Sequence, residues 1–196
     1  MRHIIISSVI LLVLLGCKKQ QLNTEQVLKE YIQSANDHDL EKVYSMYSDS
    51  IEWQFGPYTF RGIEEAIAPL RFDKGANTFL RIKNSTVNGD TLDFELIETN
   101  DVIKELGIPE LHHFPRFILK DGLIYRISEN RPPLEIRNYV DSVSAFAMWL
   151  SENKPDKFEQ FWPDEKFNFS EETGKEMPLE VAEWRNRFVN NSEEKN

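Results

Sequence analysis

The sequence predicts an α+β fold: a cone-shaped, curved antiparallel sheet packed on N-terminal helices, with an α-helical C-terminal extension. Three observations support this prediction. Apolar residues recur at helical spacing over residues 24–36, alternate with polar residues in several stretches between 51 and 127, and return to helical spacing after Pro132-Pro133. Helices followed by long alternating hairpins indicate helices gathered on one face of an antiparallel sheet.

The N-terminus has the pattern of an export signal. Arg2 and His3 precede an apolar run, residues 4–15, with only two serines. A run of about a dozen residues is shorter than the roughly 20 that span a bilayer, so it indicates a signal peptide. Leu14-Leu15-Gly16-Cys17 resembles the lipobox of bacterial lipoproteins. The resemblance implies cleavage after residue 16 and acylation of Cys17 by chains such as palmitate. The alternative is an uncleaved N-terminal anchor with an incidental cysteine.

These features predict a lipid-anchored protein of the bacterial cell envelope. Residues 17–22 would form a short tether to the membrane. Lys18 stands where some bacteria place an Asp that retains lipoproteins at the inner membrane, which favours the outer membrane.

Cys17 is the only cysteine, so the chain cannot form an intramolecular disulfide.

Composition limits the classes of partner. The formal net charge is −10 and the pI is near 5.0, which argues against nucleic acid, because phosphate binding requires an excess of Lys and Arg. Aromatic residues make up 12% of the chain, a share that favours a packed globule over a disordered chain.

The helices and strands of the first half can be placed in order. Asn23 is expected to cap a first helix over residues 24–36, and Asp39 a short second one. The alternation over 51–55 predicts a strand, and Gly62 precedes a third helix. Residues 79–87 form a long strand that turns at Asn88-Gly89. A second hairpin pairs residues 114–119 with 123–127.

The extension begins at a boundary marked by Pro132-Pro133. Its first helix is expected to bury one apolar stripe: Ile136, Val140, Val143, Ala147 and Leu150. Pro155 and Pro178 are each expected to open a further helix. Three of the four tryptophans fall here, so the extension should pack on the first domain or on a partner. The predicted division is a signal (1–16), a tether (17–22), a cone domain (23–130) and an extension (131–196).

Residues 25–127 resemble the nuclear-transport-factor-2-like superfamily, which includes SnoaL-like and ketosteroid-isomerase-like proteins. The residues that carry the resemblance are YIQSANDHDL at 31–40, Val43, Tyr47, Asp49, Trp53, Phe60-x-Gly62, and Lys120-Asp121-Gly122-x-Ile124. The resemblance implies a bent sheet wrapped over helices, with an apolar pocket in its mouth. The candidate pocket residues are Tyr31, Trp53, Phe55, Phe60, Phe94, Phe114 and His113.

The same resemblance allows a test for isomerase chemistry. Isomerases of the superfamily use a carboxylate base with an oxyanion hole made of a Tyr and a protonated Asp. Tyr31 stands at the position of that tyrosine, but Phe55 and Phe114 stand at the positions of the base and the acid. A protein without a catalytic role is therefore expected, with a pocket for a small apolar or amphipathic ligand.

Two alternatives stay open. An isomerase-, dehydratase- or hydrolase-like enzyme would use Tyr31 with His112 or His113 and an acidic neighbour. The acidic candidates are Glu95, Glu98 and Asp101. Neighbouring strand residues point to opposite faces, so at most one histidine would enter the pocket. The other alternative is an envelope interaction module that docks through the aromatic extension.

Metal and cofactor sites are not expected. Adjacent histidines with one cysteine lack the spacing of a zinc site. The chain has no phosphate-cradling glycine loop and no dinucleotide fingerprint. Three arginines on the predicted strands could in principle meet an anionic ligand: Arg81, Arg116 and Arg126. We expect each of them to be solvated or ion-paired instead.

Overall fold

The computed structural model describes residues 23–129 and 134–193. The predicted signal, Cys17, the tether and the Pro132-Pro133 boundary lie outside the described residues. The predicted fold class is confirmed: a curved, open sheet packs on N-terminal helices, and further helices follow it. Residues 23–129 are called the cone below, and residues 134–193 the extension. No helix among the described residues combines the length and the apolarity needed to cross a bilayer.

The cone contains five helices and seven strands. In chain order they are α1 (Thr24–Asn36), α2 (Leu40–Tyr44), β1 (Tyr47–Phe55), β2 (Tyr58–Arg61), α3 (Ile63–Ala66), α4 (Ala68–Gly75), β3 (Phe79–Asn88), β4 (Thr91–Thr99), α5 (Asp101–Glu105), β5 (Leu111–His113), β6 (Pro115–Lys120) and β7 (Leu123–Glu129). The extension contains α6 (Leu134–Asn153), α7 (Pro155–Phe161), a 3-10 turn (Pro163–Glu165) and α8 (Glu171–Glu193).

Helix α1 forms as its sequence predicts. The Asn23 side chain accepts a hydrogen bond from the Gln26 backbone N–H at 2.8 Å, which satisfies one of the free donors of the first turn. At the other end, the Asn36 amide pairs with both backbone groups of Leu80 on β3, at 2.9 and 2.7 Å. This pairing holds the end of α1 against an edge strand.

The strands run in the order β2-β1-β7-β6-β4-β3, with β5 paired to β4. All neighbours are antiparallel except β1 and β7, which are parallel. This parallel pair departs from the purely antiparallel sheet that the sequence predicts. Register shifts interrupt β3 between Ile82 and Asn84 and β6 between Ile118 and Leu119. Such irregularities bend strands and increase their twist, which curves the sheet.

Three local predictions need correction. Helix α8 begins at Glu171, so Pro178 lies inside it; the Ser170 hydroxyl accepts from the Thr173 backbone N–H and starts the helix earlier. Asn88 pairs with Thr91, so the β3–β4 turn is Gly89-Asp90. Val140 is 51% exposed instead of buried.

Two apolar cores organise the part of the chain that the structure describes. The first core lies between the sheet and α1–α4 of the cone. The second core joins cone and extension, because Phe72, Ala76 and Val102 pack with residues of α6, α7 and α8. Its buried members from the extension are Phe146, Leu150, Phe161, Met177 and Val181.

Helices α4 and α8 meet at two glycines. A Cβ on Gly174 would lie 2.9 Å from the Gly75 Cα and 2.8 Å from the Ala76 backbone nitrogen. A Cβ on Gly75 would clash with the carbonyl oxygen of Glu171. The helices therefore touch backbone to backbone, and only glycine leaves room for that contact.

Replacing Gly174 with Ala tests this contact. Ala normally stabilises a helix interior by roughly 0.5–1 kcal/mol relative to Gly. Here we expect the free energy of unfolding to fall by about 1–3 kcal/mol, because the added methyl forces two backbones apart. Denaturant unfolding measures the change. The exposed Glu172→Ala variant is the control and should stay within about 0.5 kcal/mol of the parent; a stabilised Gly174→Ala protein would contradict the close approach.

Candidate functional site

The register of β4 and β5 separates the two adjacent histidines. His113 pairs with Leu96 and His112 with Ile97. Since side chains alternate along a strand, His113 shares a face with Leu96 and Glu98, and His112 shares the other with Glu95. His113 is 8% exposed. Only one histidine enters the interior, as the alternation predicts.

His113 lies between two carboxylates. Its Nε2 atom is 2.8 Å from Glu98 Oε2, in an ion pair without the alignment of a hydrogen bond. Its Nδ1 atom is 3.4 Å from Glu129 Oε1. The Asn100 amide donates to the other Glu98 oxygen at 2.7 Å, and the Phe114 backbone N–H donates to Glu129 at 3.3 Å.

These carboxylates determine the charge of His113. Burial, the largest single influence, lowers its pKa, but the contacts to Glu129 and Glu98 together outweigh burial and raise the pKa to about 10. The imidazole is therefore protonated at neutral pH. A general base works best with a pKa near the working pH, so His113 is poorly matched to proton abstraction.

Asp73 on α4 and Tyr139 on α6 complete the cluster. Burial, followed by the charge of Glu98, raises the pKa of Asp73 well above its ordinary value, while a hydrogen bond from Thr78 at 3.0 Å opposes the shift. Burial also raises the pKa of Tyr139, with contributions from Glu98 and Asp73. We call His113, Glu98, Glu129, Asp73 and Tyr139 the polar cluster.

The polar cluster is largely buried, but several of its side chains keep some surface accessible to solvent. The side chains of Glu98 and Glu129 keep 18% and 17% of their surface. Asp73 and Tyr139 are half-buried, although burial is the main cause of both pKa shifts.

His112 belongs to the outer surface. Its ring contacts Glu95 at 3.0 Å and Glu110 at 3.1 Å. Glu95 also accepts from Lys83, and this bond, followed by the one from His112, lowers the pKa of Glu95 to about 2. Asp101, the third acidic candidate, accepts from the Asn77 amide at 2.6 Å.

The predicted pocket residues lie in four places. Tyr31 and Phe94 belong to the first core, where the Tyr31 hydroxyl is 3.2 Å from that of Tyr47. Trp53, Phe55 and Phe60 form a ring cluster at the β1–β2 hairpin. Phe114 is 36% exposed, and His113 lies in the polar cluster. The assignment of these residues to one ligand site stays a prediction.

The aromatic interior is filled by its own side chains. Tyr31 packs edge-on against Phe117 at 5.0 Å between ring centroids, and Phe94 packs against Phe117 at 4.9 Å. Tyr31 and Phe94 are only 4% and 5% exposed. Among the described residues, a cavity of about 630 Å³ lies outside this interior, against Phe60 and Phe169.

Sequence reasoning identified His113 and Glu98 but missed Asp73, Glu129 and Tyr139. Asp73 lies near the end of a short helix and Glu129 at the end of a strand, where charged residues are ordinarily solvated. Tyr139 falls outside the stripe predicted for α6. No local pattern marks these three residues, because only tertiary packing brings them to His113.

The three arginines considered for anion binding are ion-paired. Arg116 makes a two-bond contact with Asp93, at 2.8 and 2.9 Å. Arg81 lies 3.7 Å from Glu110 and Arg126 lies 3.6 Å from Glu52. Within the described residues, no group of three or more His, Cys, Asp or Glu side chains has a geometry that would hold a metal ion.

No family model and no curated protein matches the chain. Solved structures share part of its fold. A proposed polyketide cyclase from Sinorhizobium meliloti is 16% identical, with a TM-score of 0.47, over 53% of this chain and 93% of that one. A designed protein with a curved sheet is 17% identical, with a TM-score of 0.49, over 62% and 94%. A proposed ketosteroid isomerase from Kribbella flavida is 16% identical, with a TM-score of 0.46, over 56% and 82%.

The high pKa of His113 predicts a pH-dependent stability. The folded chain holds this proton up to a pH of about 10, whereas an unfolded histidine releases it near about 6.5. Between these values the folded state binds more protons, so the free energy of unfolding falls as pH rises, by at most about 1.4 kcal/mol per pH unit. Denaturant unfolding from pH 7 to 9.5 measures the slope.

Two matched variants test whether His113 causes the change in the free energy of unfolding with pH. His113→Gln should reduce it, whereas His112→Gln leaves His113 and its carboxylates intact and should retain it. An equal slope in the parent and in His113→Gln would show that His113 does not hold the proton.

Proposed function

We propose that this protein is a lipoprotein of the bacterial cell envelope that binds a small amphipathic ligand without transforming it. The apolar part of the ligand would contact the rim of the curved sheet, and its polar end would meet the polar cluster. The observation that supports this proposal most is the convergence of five ionisable groups from α4, β4, β5, β7 and α6. Such convergence in a partly accessible interior is typical of functional sites.

Two features favour binding over catalysis. His113 keeps its proton at neutral pH because Glu129 and Glu98 raise its pKa to about 10. Phe55 and Phe114, which cannot exchange protons, stand where the resemblance places the base and the acid. A site of fixed charges and hydrogen-bonding groups suits recognition better than proton transfer.

The proposed location follows from the N-terminal sequence. The short apolar run and Leu14-Leu15-Gly16-Cys17 support export and lipidation, and Lys18 supports the outer membrane. A single acyl chain binds membranes only marginally, whereas several hold a protein durably. With a tether of residues 17–22, the cone would lie close to the bilayer surface.

An isomerase- or dehydratase-like enzyme is the second candidate function. The contact of 2.8 Å between His113 and Glu98 favours it, since paired ionisable groups can act as acid and base. Tyr31 would not take part, because its hydroxyl is in the first core beside Tyr47. Conversion of a bound ligand by the purified protein would favour this candidate.

The interaction-module hypothesis loses support from the tryptophans. Trp149, Trp162 and Trp184 are half-buried and pack around Phe146 of the second core, with ring centroids 5.8–6.4 Å apart. These rings pack against the second core, to which the cone contributes Phe72, Ala76 and Val102.

Lipidation at Cys17 can be tested by metabolic labelling with palmitate in a bacterial host. The parent protein should incorporate label and fractionate with membranes, and Cys17→Ala should do neither. Ser8→Ala, a change within the apolar run, serves as the control and should be labelled like the parent. Labelled Cys17→Ala protein would contradict the assignment.

Ligand binding can be tested by native mass spectrometry of the full-length protein released from membranes in mild detergent. We expect a bound small molecule that is lost in Glu98→Gln and retained in Glu95→Gln, because only Glu98 faces the interior. Equal retention in both variants would place the molecule elsewhere. A chemically altered molecule after incubation would support the enzyme.

A further inference from the structure

We infer that a cavity between the β1–β2 hairpin and the segment before α8 binds a neutral saccharide. The cavity has a volume of about 630 Å³, within the range of about 300–1,000 Å³ that is typical of small-molecule sites. Its walls come from β2, α3 and α4 of the cone and from the segment 163–171 of the extension. No residue of the polar cluster lines this cavity, so the site is separate from the one proposed above.

One wall of the cavity is aromatic. Phe169 packs at nearly right angles against Tyr58 and Phe60 of β2, each at 5.3 Å between ring centroids, and against Phe167 at 4.8 Å. All four rings line the cavity and are only half-buried. The C–H faces of a sugar ring are apolar and pack on aromatic side chains, which supply a large apolar surface.

The rim of the cavity offers hydrogen-bonding groups that the protein itself does not use. Asp164 and Lys166 line the cavity and are exposed. Among the described residues, neither side chain has a hydrogen-bond or ion-pair partner. A carboxylate accepts hydrogen bonds and an ammonium donates them, whereas a sugar hydroxyl does both. This pair of side chains therefore suits neighbouring hydroxyl groups of one ligand.

The backbone at Asp164 has an unusual conformation. Asp164 and Glu165 have φ angles of 50° and 62°, in the left-handed region that residues other than glycine seldom adopt. Asp tolerates this region better than most residues, but here a glutamate follows it in the same region. Strained residues of this kind cluster at ligand clamps, which is a second indication of a binding site at this segment.

Charged ligands and purely apolar ligands fit this cavity less well. The lining includes the carboxylate of Asp164 and the cations Arg71 and Lys166, so a ligand with a charge of either sign would meet a like charge. A hydrocarbon would cover these polar groups without replacing their hydrogen bonds to water. A neutral molecule with apolar faces and hydroxyl edges avoids both penalties, and a saccharide has that chemistry.

Isothermal titration calorimetry on the full-length protein tests this inference, in a detergent without a sugar headgroup because such a headgroup would compete. The probes are cellotriose, maltotriose and tri-N-acetylchitotriose, with cyclohexanol as the apolar comparison. We expect at least one trisaccharide to bind with a Kd of about 1 mM or below, and cyclohexanol to bind at least about tenfold more weakly.

Asp164→Gly separates binding from folding. Glycine adopts the left-handed conformation without strain, so the variant should unfold at a denaturant concentration no lower than that of the parent. Its Kd for the trisaccharide should nevertheless rise at least about fivefold, because a hydrogen bond to a charged group is lost. Asp121→Gly is the matched control: Asp121 has a φ of 55° but does not line the cavity, and its replacement should leave the Kd unchanged.

Tyr58→Ala tests the aromatic wall and should raise the Kd at least about fivefold, because the sugar loses an apolar surface. Tyr44→Ala is its control, since Tyr44 is 43% exposed and lies outside the cavity. This control should bind the trisaccharide like the parent.

Three outcomes would overturn the inference. If no trisaccharide binds, the cavity does not hold a saccharide. If cyclohexanol binds as tightly as the trisaccharides, the cavity recognises only apolar surface. If either Asp164→Gly or Tyr58→Ala keeps the Kd of the parent, the saccharide does not bind in this cavity. None of these outcomes bears on the ligand of the polar cluster, which Glu98→Gln tests.

Discussion

The backbone contact between Gly75 and Gly174 is the constraint on which the arrangement of this protein depends. It allows α8 to lie directly on α4, so that Phe72 and Ala76 of the cone share a core with the extension. The same helix α4 carries Asp73 into the polar cluster. A wider separation of the two helices would open the second core and displace Asp73 together with α4.

The extension also contributes directly to the polar cluster, through helix α6. Helix α6 carries Tyr139, whose pKa is raised by burial and then by the charges of Glu98 and Asp73. Because His113 is buried, the nearby carboxylates of Glu129 and Glu98 act strongly on its charge.

The sequence predicts the parts of this structure that depend on residues close together in the chain. The cap at Asn23, the apolar face of α1 and the alternation of Leu92, Phe94 and Leu96 on β4 are all present as expected. The alternation rule also separated His112 from His113 correctly. Pro178 was misplaced because the Ser170 cap starts α8 earlier, and the parallel β1–β7 pair joins segments that are distant in sequence. Asp73, Glu129 and Tyr139 could not be identified for the same reason, since each reaches His113 only through tertiary packing.

The central claim is that the groups of the polar cluster act on one another's ionisation, so that the pKa values of both His113 and Asp73 are raised. A titration of the side-chain carboxyl carbons by nuclear magnetic resonance, with Asp73→Asn to identify the resonance, tests it most directly. The account predicts that Asp73 titrates well above the ordinary aspartate value of about 3.9, because burial and Glu98 oppose its ionisation. An Asp73 that titrates near that ordinary value would show that neither burial nor the charge of Glu98 acts on it appreciably, and would contradict the account.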